Sequence, residues 1–204
     1  MISRDEFVSR FGGVFEHSPF IAERAYDADA IADPLTSGGV HGALTKIFHA
    51  ASAEERLGVL RAHPDLAGRL AIAGELTEDS RKEQAGAGLD RLSPAEHARF
   101  TELNATYVTK FGFPFIIAVK GLGKDDILAA FETRIGNDRD AEFATATAQV
   151  EKIALLRLQS LLPESCLAVG TVIFLSMLQT DFSGIMANCF SRRSWLSIWL
   201  KGAV

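Results

Sequence analysis

Apolar residues recur three and four positions apart through most of the chain, which is the spacing of a buried helix face. The clearest case follows Ser93, Pro94 and Glu96, which supply an N-cap, a first-turn proline and a capping-box glutamate. Similar starts and glycine-marked ends repeat along the chain, separated by short turns. The pattern predicts an all-α fold, a single-domain irregular bundle of about eight to nine helices rather than a regular four-helix array.

Capping residues predict where other helices begin. Ser3 with Glu6 and Ser52 with Glu55 have the spacing of a capping box, in which each side chain bonds the other residue's backbone N–H. Further starts are expected at Ser18 before Pro19, near Val40, at Thr77, at Asp125 or Asp126, and at Asp138.

One apolar run, residues 113–119, interrupts the helical pattern. It reads FPFIIAV and lies between Gly112 and Lys120. Periodicity does not separate a strand from a buried connector here. Because no second convincing strand is present, we expect a buried irregular segment whose backbone polar groups need partners, and a polar ligand could be one of them.

Composition excludes several classes of function. The chain has 204 residues and a net charge of −5, without a clustered basic face, which argues against nucleic acid as a partner. Cys166 and Cys189 form neither a CxxC nor a Cys/His metal spacing, so neither a disulfide framework nor a metal site is expected. The N-terminus lacks the pattern of a signal peptide, which leaves the cytoplasm as the expected location.

The last part of the chain differs from the rest. Residues 1–162 are predicted as one helical domain, whereas residues 163–204 lose the capping signals and contain both tryptophans. The apolar run 166–178 is too short for a membrane span, and we do not expect membrane contact. Composition alone leaves two alternatives: a disordered or loosely packed tail, or an interfacial helix or dimer contact formed by Trp195, Ile198, Trp199 and Leu200.

A cluster of candidate functional groups follows the fourth expected helix. Pro64 disfavours the α conformation at His63, so the helix should end there and the imidazole should project from extended backbone. The helix after Thr77 carries three hydrogen-bonding side chains on one face: Ser80, Glu83 and Gln84. These groups could surround a small polar ligand. Taken alone, a histidine such as His63 is more often a surface or helix-capping residue, and a glutamate such as Glu83 is most often a solvated helix residue.

Two arginines lie on apolar helix faces. Arg157 falls midway between Ile153 and Leu161 on the stripe of the long last helix, and Arg134 lies in a similar place beside Phe131. Because an unpaired buried charge is costly, each must reach solvent or find an anionic partner. Either could face an anionic ligand, and the sequence leaves that choice open.

Five separated motifs, in order and without large gaps, resemble one family. They are FGGVFEHSP at 11–19, HPDLA at 63–67, SxxEQxGxGL at 80–89, FGFPF at 111–115 and KIAxxRL at 152–158. The family is that of 2-oxo-4-hydroxy-4-carboxy-5-ureidoimidazoline (OHCU) decarboxylases of urate breakdown. The resemblance covers about Phe7 to Leu162, and the tail matches nothing in the family.

The resemblance implies an all-helical, commonly homodimeric enzyme that converts OHCU to (S)-allantoin and carbon dioxide without metal or cofactor. It implies that His63 is the catalytic acid/base, for which a pKa near neutrality is expected, that Glu83 holds substrate nitrogens, and that Arg157 faces the substrate carboxylate. The expected substrate-binding residues are Pro64, Ser80, Arg81, Lys82, Glu83, Gln84, Phe115, Ile116, Ile117, Ala118 and Val119.

Three alternatives stay open from the sequence. The first is a helical binding or regulatory module that keeps the fold and has lost catalysis. The second is a protein whose activity lies in a partner- or membrane-docking tail. The third is the same site acting on another ureido or hydantoin substrate.

Overall fold

Eight α-helices form the regular framework of the described residues, which in the computed structural model are 2–68 and 76–163. They are α1 Arg4–Phe11, α2 Phe20–Asp27, α3 Ser37–Ala50, α4 Ala53–Ala62, α5 Glu78–Gly86, α6 Pro94–Phe111, α7 Lys124–Ile135 and α8 Arg139–Leu161. A short 3₁₀ turn, Leu89–Arg91, lies between α5 and α6. No strand occurs in these residues, so the predicted all-α class is confirmed.

The predicted capping residues account for most helix starts. The capping boxes of Ser52 with Glu55 and of Ser93 with Glu96 have both of their hydrogen bonds. Ser3, Thr77 and Asp138 each accept a hydrogen bond from the backbone N–H three residues later. These local bonds satisfy N–H groups that the first helical turn leaves without partners.

Three predicted starts are wrong. Ser18 does not cap α2, because its hydroxyl donates to the Glu16 carbonyl and the cap position is Pro19. The third helix begins at Ser37 rather than near Val40, because Thr36 supplies the cap. The seventh begins after Gly123, because the Asp126 carboxylate accepts from the Gly123 N–H and so acts from the third helical position.

The longest helix, α8, packs against α3, α4 and α6. Val150 and Ile153 of its predicted apolar stripe are buried, but Leu161 at its end is 44% exposed. Arg157 is buried in line with them, so a charged residue occupies one position of the core-facing stripe.

Residues 113–119 form the predicted buried irregular segment. Phe115 stacks on Phe131 at 3.8 Å between ring centroids, and the Tyr107 ring meets both edge-on. Two of the segment's backbone groups have side-chain partners: the Gln149 carbonyl accepts from the Ala118 N–H at 2.9 Å, and Arg134 donates to the Ile116 carbonyl at 2.7 Å. The segment therefore keeps its shape without a sheet.

Arg134 belongs to a buried charged network centred on Glu142. Its Nε and Nη2 lie 2.9 and 2.6 Å from the Glu142 carboxylate, which also accepts from Asn137 and from the Tyr107 hydroxyl. Its guanidinium also lies over the Phe115 ring, 4.4 Å from the centroid. Arg134 thus has its anionic partner inside the protein, and it stabilises the 113–119 segment through its contacts with Phe115 and the Ile116 carbonyl.

The described residues all fall in one compact unit, Met1–Ser165. The expectations for residues 164–204, including both cysteines and the apolar run, lie outside the described residues. None of the helices described is long and apolar enough to cross a membrane.

The Glu142 network generates a stability prediction. Glu142→Gln leaves Arg134 buried without a counter-ion, so we expect the free energy of unfolding to fall by about 3 kcal/mol or more. The matched control is Glu132→Gln, which removes an exposed arginine partner and should cost no more than about 1 kcal/mol. Urea denaturation measures both, and equal losses would contradict the assigned role of the buried pair.

Candidate active site

His63 ends α4 in the conformation that its proline neighbour requires. Its backbone is extended (φ −72°, ψ 139°), and only 7% of the residue is exposed. Nδ1 lies 2.9 Å from the Val59 carbonyl, and because a carbonyl only accepts, Nδ1 carries the proton. The neutral ring therefore keeps an unshared electron pair on Nε2.

The charge state of His63 differs from the sequence expectation. Burial lowers the pKa of His63 from 6.5 to about 4, and the hydrogen bond to Val59 and the charge of Glu16 only partly oppose this. The histidine is therefore neutral at neutral pH. It is suited to accept a proton first and to donate it afterwards.

A polar clamp holds the turn that follows Pro64. The Gln84 side chain accepts from the Ala67 N–H at 2.9 Å and donates to the Asp65 carbonyl at 3.4 Å. Asn104 donates to the Leu66 carbonyl at 2.8 Å, and Ala67 has a φ of +52°. Gln84, expected to bind substrate, thus positions the His63 segment through its side-chain amide.

Arg157 uses all of its N–H groups within the protein. Nε and Nη2 donate to the two oxygens of Glu83 at 2.8 and 2.9 Å, a bidentate pair. Nη1 donates to Glu16 at 2.7 Å and to the Val14 carbonyl at 3.4 Å, and Nη2 also donates to the Ser80 hydroxyl at 3.3 Å. A guanidinium has five such donors, so none is left over for a ligand in this arrangement.

Glu16 is the functional residue that the sequence reasoning missed. It is 1% exposed, and besides Arg157 it accepts from the hydroxyls of Thr77 at 2.7 Å and Ser80 at 3.1 Å. Burial alone would raise the pKa of Glu16, but Arg157 and the Thr77 hydroxyl more than offset it and hold its pKa below the ordinary value. One signal was available: an arginine on an apolar stripe requires a buried acid, and Glu16 follows the apolar pair Val14 and Phe15.

A small cavity brings most of the expected residues together. It has a volume of about 30 Å³, which is room for about one water molecule. The expected site residues that line it are His63, Pro64, Ser80, Glu83, Gln84, Ile116, Ile117, Val119 and Arg157.

A larger cavity of about 320 Å³ shares Glu83, Val119 and Arg157 with the small one. It is also lined by Lys82 and Ala118 of the expected set, and by Lys120. Two expected residues line neither cavity: Arg81 faces a separate one near Leu89, and the Phe115 side chain is packed in the core. Among the described residues, no group of His, Cys, Asp and Glu is arranged to hold a metal ion.

The burial of His63 predicts a pH dependence of stability. Between about pH 4 and pH 6.5 the unfolded chain binds a proton at His63 that the folded chain does not, so stability falls as pH falls through this range. Relative to neutral pH the loss reaches about 3 kcal/mol. His63→Asn should remove this part of the acid destabilisation.

Urea denaturation at about pH 7 and about pH 4.5 measures the effect. The wild type should lose about 2 to 3 kcal/mol more than His63→Asn between these values. An identical loss in both proteins would show that His63 is not held neutral.

Comparisons with known proteins agree with the resemblance. The OHCU decarboxylase family model matches residues 1–159. The OHCU decarboxylase of Halalkalicoccus jeotgali is 44% identical over 159 residues, which cover 78% of this chain and 86% of that protein. A crystal structure of OHCU decarboxylase in the presence of (S)-allantoin has a TM-score of 0.58 at 26% identity, covering 72% of this chain and 94% of that one.

A crystal structure of (S)-allantoin synthase has a TM-score of 0.62 at 34% identity, over 78% of this chain; the match spans half of that longer chain. The match of the family model spans most of the chain, and the helical architecture agrees with the solved structures. The chain therefore belongs to the OHCU decarboxylase family.

Proposed function

We propose that this chain is a carboxy-lyase that converts OHCU to (S)-allantoin and carbon dioxide in urate breakdown, with His63 as its proton-transfer group. The observation that carries the assignment of roles is a neutral imidazole lining the same cavity as the Glu83–Arg157 ion pair. Family membership supplies the reaction.

The reaction makes modest demands on the protein. When the carbon–carbon bond to the carboxylate of OHCU breaks, the electron pair moves into the ring, where the adjacent imine accepts it. The 4-hydroxyl loses its proton as a carbonyl forms at that carbon, and the neighbouring ring carbon gains a proton. In total the substrate anion and one proton from solvent give allantoin and carbon dioxide, so the substrate serves as its own electron sink.

His63 suits both proton transfers. In its neutral form Nε2 can accept the proton of the 4-hydroxyl, and the resulting imidazolium can return a proton to the ring carbon. The hydrogen bond from Nδ1 to the Val59 carbonyl keeps the ring in one orientation throughout. A positioned acid/base of this kind typically contributes about 10²- to 10⁴-fold to the rate.

Glu83 supplies an acceptor for the substrate's N–H groups, and Arg157 keeps that carboxylate in place. Each Glu83 oxygen uses one electron pair on Arg157 and retains another. The backbone of residues 116–119 would meet the hydantoin edge, since these residues line the two cavities. Contact between Arg157 and the substrate carboxylate would require the guanidinium to give up one of its present bonds, of which those to Ser80 and Val14 are the longest.

A homodimer, which the family resemblance implies, and a cytoplasmic location belong to the same proposal. Light scattering coupled to size-exclusion chromatography tests the first, and cell fractionation tests the second.

The activity is tested by adding the purified protein to urate, urate oxidase and hydroxyisourate hydrolase. The absorbance of OHCU should disappear faster than in the enzyme-free control, with the circular-dichroism signal of (S)-allantoin appearing in step. A silent protein would favour the binding-module alternative instead.

His63→Asn should lower kcat by at least about 100-fold, because no other group takes over both proton transfers. The matched control is His49→Asn, which changes an exposed histidine paired with Glu151 on another helix and should retain the wild-type rate. Near-full turnover by folded His63→Asn would refute the role assigned to His63.

A further inference from the structure

The charge balance of the site leaves the substrate carboxylate without an obvious cation. Arg157 carries one positive charge and is bound by two carboxylates, those of Glu16 and Glu83. With His63 neutral, this cluster is net negative, and within it Arg157 and Glu16 are buried while Glu83 is partly exposed. An anionic substrate entering beside it needs positive charge from elsewhere, since like charges at close range in a poorly hydrated site repel strongly.

Two lysines line the outer cavity that adjoins Glu83 and Arg157. Lys82 is bound to Glu78 at 2.6 Å, one turn earlier on α5. Lys120 is exposed, and no residue of the described ranges forms an ion pair with it. The carboxylate of Asp79 lines the cavity as well, and of the cavity's cations Lys120 is the one that forms no ion pair within the described chain.

The backbone holds Lys120 at the rim of the site. It directly follows Val119, which lines both cavities. The Leu122 N–H donates to the Val119 carbonyl at 2.9 Å, and Gly121 has a φ of +82°, as the third residue of a type II turn requires. The turn thus fixes the point from which the ammonium group extends.

We propose that Lys120 is the specificity-determining cation that binds the carboxylate of the incoming substrate, while Arg157 stays with Glu16 and Glu83. The inference rests on the proposed function, because it takes OHCU as the substrate. The ammonium group of Lys120 lies at the end of a flexible side chain at the edge of the cavity. It can therefore stay in contact with the substrate carboxylate until that group leaves as carbon dioxide.

The product provides a built-in control. (S)-Allantoin lacks the carboxylate and is neutral, so its binding should not depend on the charge of residue 120. A variant that damages the cavity in general would weaken the binding of both molecules, whereas a variant that removes only the carboxylate contact would weaken that of OHCU alone.

The test compares Lys120→Met with Lys120→Arg, Lys82→Met and, as matched control, Lys46→Met on the exposed side of α3. Lys120→Met should raise the KM for OHCU about tenfold and change the inhibition constant of (S)-allantoin less than about threefold. Lys120→Arg should restore the KM to near the wild-type value, and Lys46→Met should leave it unchanged.

Salt gives a second readout. The KM of the wild type should rise between low salt and about 0.5 M salt, and that rise should be smaller in Lys120→Met, because the screened interaction is gone. An unchanged KM in Lys120→Met, a larger effect in Lys82→Met, or equal losses for OHCU and allantoin would overturn the inference. If the wild type itself does not turn over OHCU, the proposed function fails instead.

Discussion

The burial of Arg157 is the constraint around which the site is built. A guanidinium removed from water is costly unless its charge is matched and its donors are satisfied. Here both conditions are met by groups from three separate parts of the chain: Val14 and Glu16 in the loop between α1 and α2, Ser80 and Glu83 on α5, and the arginine itself on α8. The same bonds that neutralise the arginine bring these parts together beside His63.

The remaining parts of the site are held by the same means, side chains that bond irregular backbone. Gln84 and Asn104 bond the turn after Pro64, and Arg134 donates to the carbonyl of Ile116. Helices alone would not define these segments. The hydrogen bonds from these polar side chains to the backbone favour one conformation of each segment, which a catalyst that works by positioning its groups needs.

Much of this architecture is readable from sequence because its signals are local. The capping pairs at Ser52 and Ser93 and the His63–Pro64 helix exit depend on residues a few positions apart. The prediction that Ser18 caps α2 was wrong because its hydroxyl donates to the backbone carbonyl of Glu16 instead. Leu161 was expected on the buried face of α8 but is exposed, because the spacing of apolar residues does not show where a helix extends beyond the core.

Glu16 shows why part of the site could not be predicted from the sequence. It pairs with Arg157, 141 positions away, and no periodicity links two residues so far apart. The contacts of Gln84 and Arg134 were not predictable for the same reason. The type of a residue and the helix face on which it lies do not show which backbone group or acidic side chain it will bond in the folded protein. Gln84, which lines the small cavity, also bonds the backbone of the turn after Pro64.

A double-mutant cycle on the free energy of unfolding tests the Arg157 pairing most directly. Arg157→Gln leaves two buried carboxylates without their cation, and Glu16→Gln leaves the arginine with one partner. Because the two residues form a buried ion pair, the double variant should lose less stability than the sum of the two single variants, by about 2 kcal/mol or more. Additive losses, within about 0.5 kcal/mol, would contradict a buried ion pair as the element that holds the site together.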